Sequence, residues 1–70
     1  MKNLKLIAAR KQSGKTQKQV AKEIGTTETA YQNYELGRRT PNAPTGNSIA
    51  RALGTTSELL FGLNQQQNDL

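Results

Sequence analysis

Apolar residues recur at helical spacing along most of the chain, and short polar segments separate the apolar stretches. Leu6 and Ala9 lie three residues apart in an early stretch, and Ile49 and Leu53 lie four apart in a later one. Intervals of three or four residues are typical of an amphipathic helix. No stretch has the two-residue alternation of a β-strand. The pattern therefore predicts an all-α fold of five short helices.

Capping and helix-ending residues predict where these helices lie. A capping box from Thr16 to Gln19 opens the second helix, and Gly25 ends it. The predicted helices are residues 3–12, 16–24, 27–35 and 45–53, with a short fifth helix after Thr55. Residues 38–44 contain both prolines and are predicted to form a loop. Residues 1–62 are expected to form one domain, and the Gln/Asn-rich residues 63–70 a disordered tail.

Charge and composition limit the functions that these helices can serve. The 70 residues carry ten lysines and arginines against five acidic residues, a net charge of +5. This excess favours a polyanion as partner, although many small proteins are simply basic. The chain has no cysteine and no histidine, which excludes disulfides, thiolate nucleophiles, histidine acid–base chemistry and the usual zinc sites. We expect no enzyme activity, no metal and no cofactor.

Residues 17–36 have the layout of a helix-turn-helix, in which two helices cross at a steep angle over a short turn. Ala21 is a small residue where the two helices would cross, and Gly25 tolerates the positive φ that the turn requires. The inner faces would carry Val20, Ile24, Tyr31 and Tyr34. An ordinary helical hairpin in a small bundle is the alternative interpretation, but it does not require all these features in register.

The stretch TQKQVAKEIGTTETAYQNYELGRRTPN resembles the helix-turn-helix of Cro/CI-repressor type, which is found in phage and bacterial regulators. The resemblance covers about Leu4 to Gly62 and includes ARALGTT and ELL in the last two helices. It implies a lambda-repressor-like DNA-binding domain. The sequence departs from the family at Lys15, Thr26 and Gly46, and these residues reduce the predicted core and bear on the length of the fourth helix.

The resemblance implies that the third helix lies in the major groove of double-stranded DNA. The N-terminal part of such a helix contacts base edges. The outward positions here are Thr27, Glu28, Thr29, Gln32 and Asn33. Either Gln32 or Asn33 can pair with adenine through two hydrogen bonds. Glu28 has two interpretations of equal weight: it accepts from a cytosine amino group, or it only complements the positive helix N-terminus.

A second group of residues is predicted to contact DNA phosphates. Its members are Gln17, Lys18, Arg38, Arg39 and Thr40. By resemblance, Gln17 contacts a phosphate at the start of the second helix and also braces the third helix, and a plain capping position is the alternative. Arg38 and Arg39 would hold phosphates without distinguishing sequences, and the alternative is a solvated basic turn.

Other residues are assigned to structural roles. By resemblance, Arg10 and Glu35 form a partly buried ion pair that orients the first and third helices. Tyr31 and Tyr34 are expected in the core rather than stacked on bases. The C-terminal apolar residues are expected to close part of the core and to supply a dimer patch, as in the resembling proteins. The predicted patch consists of Leu60, Phe61 and Leu63.

These expectations describe a repressor of phage or mobile-element type that binds a short inverted repeat as a homodimer. The alternative is an antitoxin or anti-repressor that uses the same fold to bind a partner protein. The tail contains no obvious toxin-binding segment, which favours the first hypothesis. No apolar run is long enough for a membrane span or a signal peptide, so we expect the bacterial cytoplasm or nucleoid and no membrane partner.

Overall fold

The computed structural model describes residues 1–62 and contains five helices within them. They are α1 Leu4–Ser13, α2 Gln17–Glu23, α3 Glu28–Glu35, α4 Ala43–Leu53 and α5 Ser57–Phe61. No strand occurs in this range. The predicted all-α fold is confirmed. The predicted tail and Leu63 of the predicted dimer patch lie outside the described residues.

Each helix begins after a residue whose side-chain oxygen accepts a hydrogen bond from a backbone N–H three residues later. These caps are Asn3, Thr16, Thr27, Asn42 and Thr56. Each cap satisfies one of the N–H groups that a helix N-terminus leaves without an internal partner. At α2 the bond is reciprocal, because Gln19 Oε1 accepts from the Thr16 N–H at 2.8 Å. The predicted capping box is therefore present.

The helices predicted from residues 16 and 27 begin one residue later because Thr16 and Thr27 are their caps, and two further helix starts also differ from the sequence prediction. Asn3 caps α1 instead of being its first residue. The fourth helix begins at Ala43, two residues earlier than predicted, because Asn42 caps it. Pro44 lies in the first turn of this helix, where its missing N–H removes no intrahelical hydrogen bond. The proline therefore belongs to α4 and not to the preceding loop.

Two of the departures from the family pattern are accommodated without shortening a helix. Gly46 is buried within α4, which continues to Leu53. Lys15 Nζ donates to the backbone oxygen of Ala52 at 2.8 Å and lies 2.9 Å from Glu23 Oε1. A lysine in this position thus connects the segment before α2 to the end of α4 through polar contacts.

One apolar core lies between the helices and receives side chains from all of them. Its buried members are Leu6, Val20, Ala21, Tyr31, Ile49, Ala50, Leu53 and Leu60, and Ala9, Ile24, Tyr34 and Phe61 pack against them. The inner faces predicted for α2 and α3 therefore do face the core. The opposite face of α3 is left for other contacts.

Two glycines position α3 at its ends. Gly25 has a φ of 76° in the four-residue turn between α2 and α3, a conformation that glycine adopts without steric cost. Gly37 has a φ of 75° just after α3, and a Cβ there would overlap the backbone carbonyl of Met1. The end of α3 thus packs directly against the first residues of the chain.

Candidate nucleic-acid interface

The two faces of α3 have different environments. Tyr31 is fully buried, and Glu35 is only 3% exposed. On the other side, Thr27, Glu28 and Thr29 are exposed at the start of the helix. The first turn of α3 therefore presents short polar side chains to the surroundings, as predicted from the sequence.

Gln32 and Asn33 lie further along α3 and are half-buried. Gln32 Nε2 donates to Gln17 Oε1 at 3.1 Å and to Glu28 Oε2 at 3.4 Å. Within residues 1–62, the side chain of Asn33 has no hydrogen-bond partner. The structure therefore separates two residues that the sequence analysis treated alike: Gln32 is engaged by neighbouring side chains, and Asn33 is not.

A group of polar side chains joins α1, α2 and α3 behind the exposed face. Arg10 Nε lies 2.6 Å from Glu35 Oε2, and Arg10 Nη1 donates to the backbone oxygen of Lys15 at 3.0 Å. Gln17 Nε2 donates to Glu35 Oε1 at 2.9 Å. We call the side chains of Arg10, Gln17, Glu35 and Gln32 the polar brace. It contains the ion pair implied by the resemblance and connects that pair to Gln32, one of the residues predicted to contact bases.

Ionisation of the polar brace follows from its burial and its hydrogen bonds. Burial alone would raise the pKa of Glu35, but hydrogen bonds from Arg10 and Gln17 outweigh it and lower that pKa. The hydrogen bond to Glu35 raises the pKa of Arg10. Burial, and after it the neighbouring Glu35 carboxylate, raise the pKa of Tyr31. At neutral pH the brace thus holds one anion and one cation.

The residues predicted to contact phosphates lie at the start of α2 and directly after α3. Lys18, Arg38, Arg39 and Thr40 are exposed, and Gln17 is half-buried with both ends of its amide already hydrogen-bonded. The backbone N–H groups of Arg38 and Arg39 donate to the backbone oxygen of Asn33 at 3.0 and 3.3 Å. Among residues 1–62, none of the three cations forms an ion pair. Their charges therefore remain available to an anion.

One structural residue was missed by the sequence analysis. The Asn3 N–H donates to the backbone oxygen of Glu35 at 2.9 Å, and Asn3 Nδ2 donates to the backbone oxygen of Leu60 at 2.9 Å. Asn3 therefore links the start of α1 to the ends of α3 and α5. An asparagine directly before a helical pattern is a capping signal, and this signal was available in the sequence.

The predicted dimer patch is partly wrong. Leu60 is 5% exposed and belongs to the core, so it cannot contribute to an exposed patch. Leu59, the residue before it, lies on the outer side of α5 and is 61% exposed. Phe61 is half-buried. The exposed apolar surface of α5 therefore consists of Leu59 and part of Phe61.

Two further findings concern the described residues as a group. No three or more acidic side chains in this range are grouped as metal ligands would be. None of the five helices has the length and apolar character needed to cross a membrane.

The geometry defines a class of protein. Two helices joined by a tight turn, the second of them presenting a polar face beside unpaired cations, form the helix-turn-helix of DNA-binding proteins. A family model described as helix-turn-helix matches residues 6–60. The chain belongs to this family, in its Cro/CI-repressor (XRE-like) type, and is a DNA-binding transcription regulator. Comparisons with curated proteins and with solved structures found no match.

Proposed function

We propose that this chain is a transcriptional repressor of phage or mobile-element type that binds a short inverted repeat as a homodimer. The observation that supports it best is the position of α3. Its inner face is buried and its outer face carries polar side chains, and exposed cations lie on the preceding helix and directly after α3. The major groove of DNA is about 12 Å wide and admits one α-helix. In this proposal, α3 of each protomer enters one major groove.

Five side chains of α3 and its cap would contact base edges in this arrangement. They are Thr27, Glu28, Thr29, Gln32 and Asn33. Thr29 and Asn33 lie one helical turn apart on the outer face, so both point into the groove together. Glu28 already accepts a hydrogen bond from Gln32, and its base contact would be to a cytosine amino group.

Phosphate contacts would come from residues on both sides of α3. We assign them to Gln17, Lys18, Arg38, Arg39 and Thr40. The two arginines are held close to the end of α3 because their backbone N–H groups donate to the backbone oxygen of Asn33. Contacts of this kind fix the position of a protein on the duplex and make its affinity depend on salt.

A homodimer would double this small recognition surface. We place its apolar contact at Leu59 and Phe61, the exposed part of α5. A two-fold dimer of helix-turn-helix domains binds half-sites about 34 Å apart, one turn of DNA. Linking two weak half-site interactions raises the overall affinity strongly. Occupation of such a site in a promoter would exclude polymerase and repress transcription.

The test is a selection of bound sites from random-sequence duplex DNA, followed by titration of the enriched sequence. We expect an inverted repeat with half-site centres about 10 base pairs apart. The control is the double variant Thr29→Ala, Asn33→Ala, which keeps the cations and should still bind DNA but lose preference at the base pairs that these two side chains contact. Failure of the natural sequence to enrich any site would contradict sequence-specific binding.

The dimer is tested separately with Leu59→Lys, which changes an exposed residue and leaves the core intact. Sedimentation on the enriched DNA should show two protomers for the natural sequence, and the variant should require a higher concentration to bind. A single protomer bound to an asymmetric site would contradict the homodimer. A reporter gene behind the enriched site then tests repression, and increased expression would contradict it.

A further inference from the structure

We infer that Gln32 faces DNA as a hydrogen-bond acceptor only, and therefore selects adenine or cytosine, the bases with a major-groove amino group. The inference rests on the proposed function, in which α3 contacts base edges. It comes from the direction of successive hydrogen bonds in the polar brace, which begins at a buried ion pair and ends at Gln32.

The first step is the carboxylate of Glu35. Arg10 donates to Oε2 of this group through Nε, and Gln17 Nε2 is 2.9 Å from Oε1. An ionised carboxylate has no hydrogen to donate. The lowered pKa of Glu35 keeps it ionised at neutral pH. Gln17 must therefore turn its NH₂ group, and not its oxygen, toward Glu35.

The second step is the amide of Gln17, which has a donor at one end and an acceptor at the other. With its nitrogen directed at Glu35, its oxygen lies 3.1 Å from Gln32 Nε2. An oxygen can only accept there. The oxygen and nitrogen of an amide can be assigned the wrong way round. At Gln17 the reverse orientation would place the amide oxygen against the Glu35 carboxylate, and neither group could donate a hydrogen. The direction of the bond to Gln32 is thus set by the ion pair.

The third step concerns Gln32, whose NH₂ group carries two hydrogens. One is directed to Gln17 Oε1 and the other to Glu28 Oε2, at 3.4 Å. No donor is within hydrogen-bond distance of Gln32 Oε1 in residues 1–62. Gln32 therefore has no hydrogen left to donate and one oxygen that can accept.

This hydrogen-bond capacity determines which bases fit. Adenine N6 and cytosine N4 donate in the major groove, whereas guanine O6 and N7 and thymine O4 accept. The two-bond pairing of glutamine with adenine needs a donor for adenine N7, and Gln32 has none to offer. The side chain of Asn33 has no hydrogen-bond partner within the described residues, so it can both donate and accept. The two residues would thus read bases in different ways.

The first experiment identifies the base that Gln32 contacts and then replaces it with analogues that lack a single hydrogen-bonding group. Site selection with the natural sequence and with Gln32→Leu shows the position whose preference depends on Gln32, and we expect adenine or cytosine there. If it is adenine, 7-deazaadenine should leave the Kd within about twofold. Purine, which lacks the amino group, should raise the Kd about fivefold per half-site, the effect of one hydrogen bond. If it is cytosine, 2-pyrimidinone should have the same effect as purine.

The second experiment releases Gln32 from the polar brace. Gln17→Met keeps the length of the side chain and removes the acceptor, which frees one hydrogen of Gln32. On adenine, this variant should become sensitive to loss of N7, with a Kd raised about fivefold by 7-deazaadenine. On cytosine, it should discriminate less against guanine and thymine. The matched control is Gln12→Met, at an exposed position of α1, which should behave like the natural sequence.

The outcomes separate this inference from the function on which it rests. Enrichment of an operator with guanine or thymine opposite Gln32 would overturn the inference and leave the proposed function standing. Equal N7 sensitivity of the natural sequence and Gln17→Met, or no change of base preference in Gln32→Leu, would do the same. Failure of every variant to enrich a site would overturn both.

Discussion

Two junctions of this domain hold their helices together by different means. The last two helices are joined to the core by apolar side chains such as Ile49, Leu53 and Leu60. The first three helices also meet through the polar brace, in which Arg10 and Gln17 both donate hydrogen bonds to Glu35. Apolar burial is non-directional, whereas a hydrogen bond has a preferred distance and angle. The comparison indicates that the core supplies most of the stability and the polar brace supplies orientation.

The largest effect is expected from Ile49→Ala, which tests whether the apolar core supplies most of the stability. The side chain is fully buried, so truncation should cost about 2–5 kcal/mol of unfolding free energy through lost burial and a cavity. Denaturant titration followed by circular dichroism measures the change. The control Leu59→Ala removes a mostly exposed side chain and should cost less than about 0.5 kcal/mol.

Base preference gives the second half of that test. At a temperature where Ile49→Ala is still folded, site selection should return the same operator as the natural sequence, because no base-facing side chain has moved. A changed operator would show that the core also determines orientation, and the distinction between the two junctions would fail.

The next largest effect is expected from Glu35→Gln, which removes the anion of the polar brace. The loss of a hydrogen-bonded charge should cost about 1–3 kcal/mol at pH 7, a moderate value because Arg10 retains some contact with solvent. A glutamine at position 35 can donate as well as accept, so the Gln17 amide could adopt either orientation. The variant should therefore discriminate less between bases at the position that Gln32 contacts.

The pH dependence of Glu35→Gln follows from the lowered pKa of Glu35. Relative to its ordinary value of 4.5, the folded-state pKa is lower, so the unfolded chain binds a proton first as the pH falls. The carboxylate's contribution is complete above about pH 4.5 and is lost as the pH falls through the folded pKa. Denaturant titrations at several pH values should show a smaller acid loss in Glu35→Gln than in the control Glu58→Gln. Equal acid losses would contradict the assignment.

Asn33→Ala tests a residue that should affect DNA sequence preference and not stability. The side chain has no hydrogen-bond partner within residues 1–62, so unfolding free energy should change little. At one base pair of the operator, discrimination should fall by about 1–3 kcal/mol. Titrations of single-base operator variants measure this. An equal loss of affinity on random DNA would instead indicate a phosphate contact.

Arg38→Ala should give the smallest change and no change in sequence preference. Removal of one phosphate contact should reduce the slope of log K against log salt concentration by about one unit and weaken binding to all sequences alike. The control Arg51→Ala removes an exposed cation from the last turn of α4 and should leave the slope unchanged. Identical slopes for both variants would exclude Arg38 from the interface.

Much of the fold could be predicted because its signals are local. The capping box at Thr16, the positive φ of Gly25 and the helical spacing of Tyr31 and Tyr34 each depend on a few neighbouring residues. The sequence predicts the start of α4 two residues too late, because a proline such as Pro44, in a segment without hydrophobic periodicity, is typical of a loop. The cap at Asn42 makes that proline compatible with a first helical turn.

The features that could not be predicted depend on how the helices pack. Three consecutive apolar residues occur in α5, and five residues are too short for a helical pattern to show that Leu60 faces the core. The hydrogen bond between Gln17 and Gln32 depends on the distance and crossing of α2 and α3, which sequence spacing does not determine. Local signals place the residues predicted to contact bases on one helix and its cap, and only packing shows that one of them, Gln32, is hydrogen-bonded to its neighbours.

The restraint on Gln32 also has a consequence for how operator preference can evolve. Thr27, Thr29 and Asn33 have side chains that no other side chain of residues 1–62 engages through a hydrogen bond. In the proposed complex, a single substitution at any of them would therefore alter one base contact. Gln32 is bonded to Gln17 and Glu28, and its substitution leaves those two groups to find new partners. Substitutions at these coupled positions should therefore be non-additive, and related regulators would acquire new specificities there through paired changes.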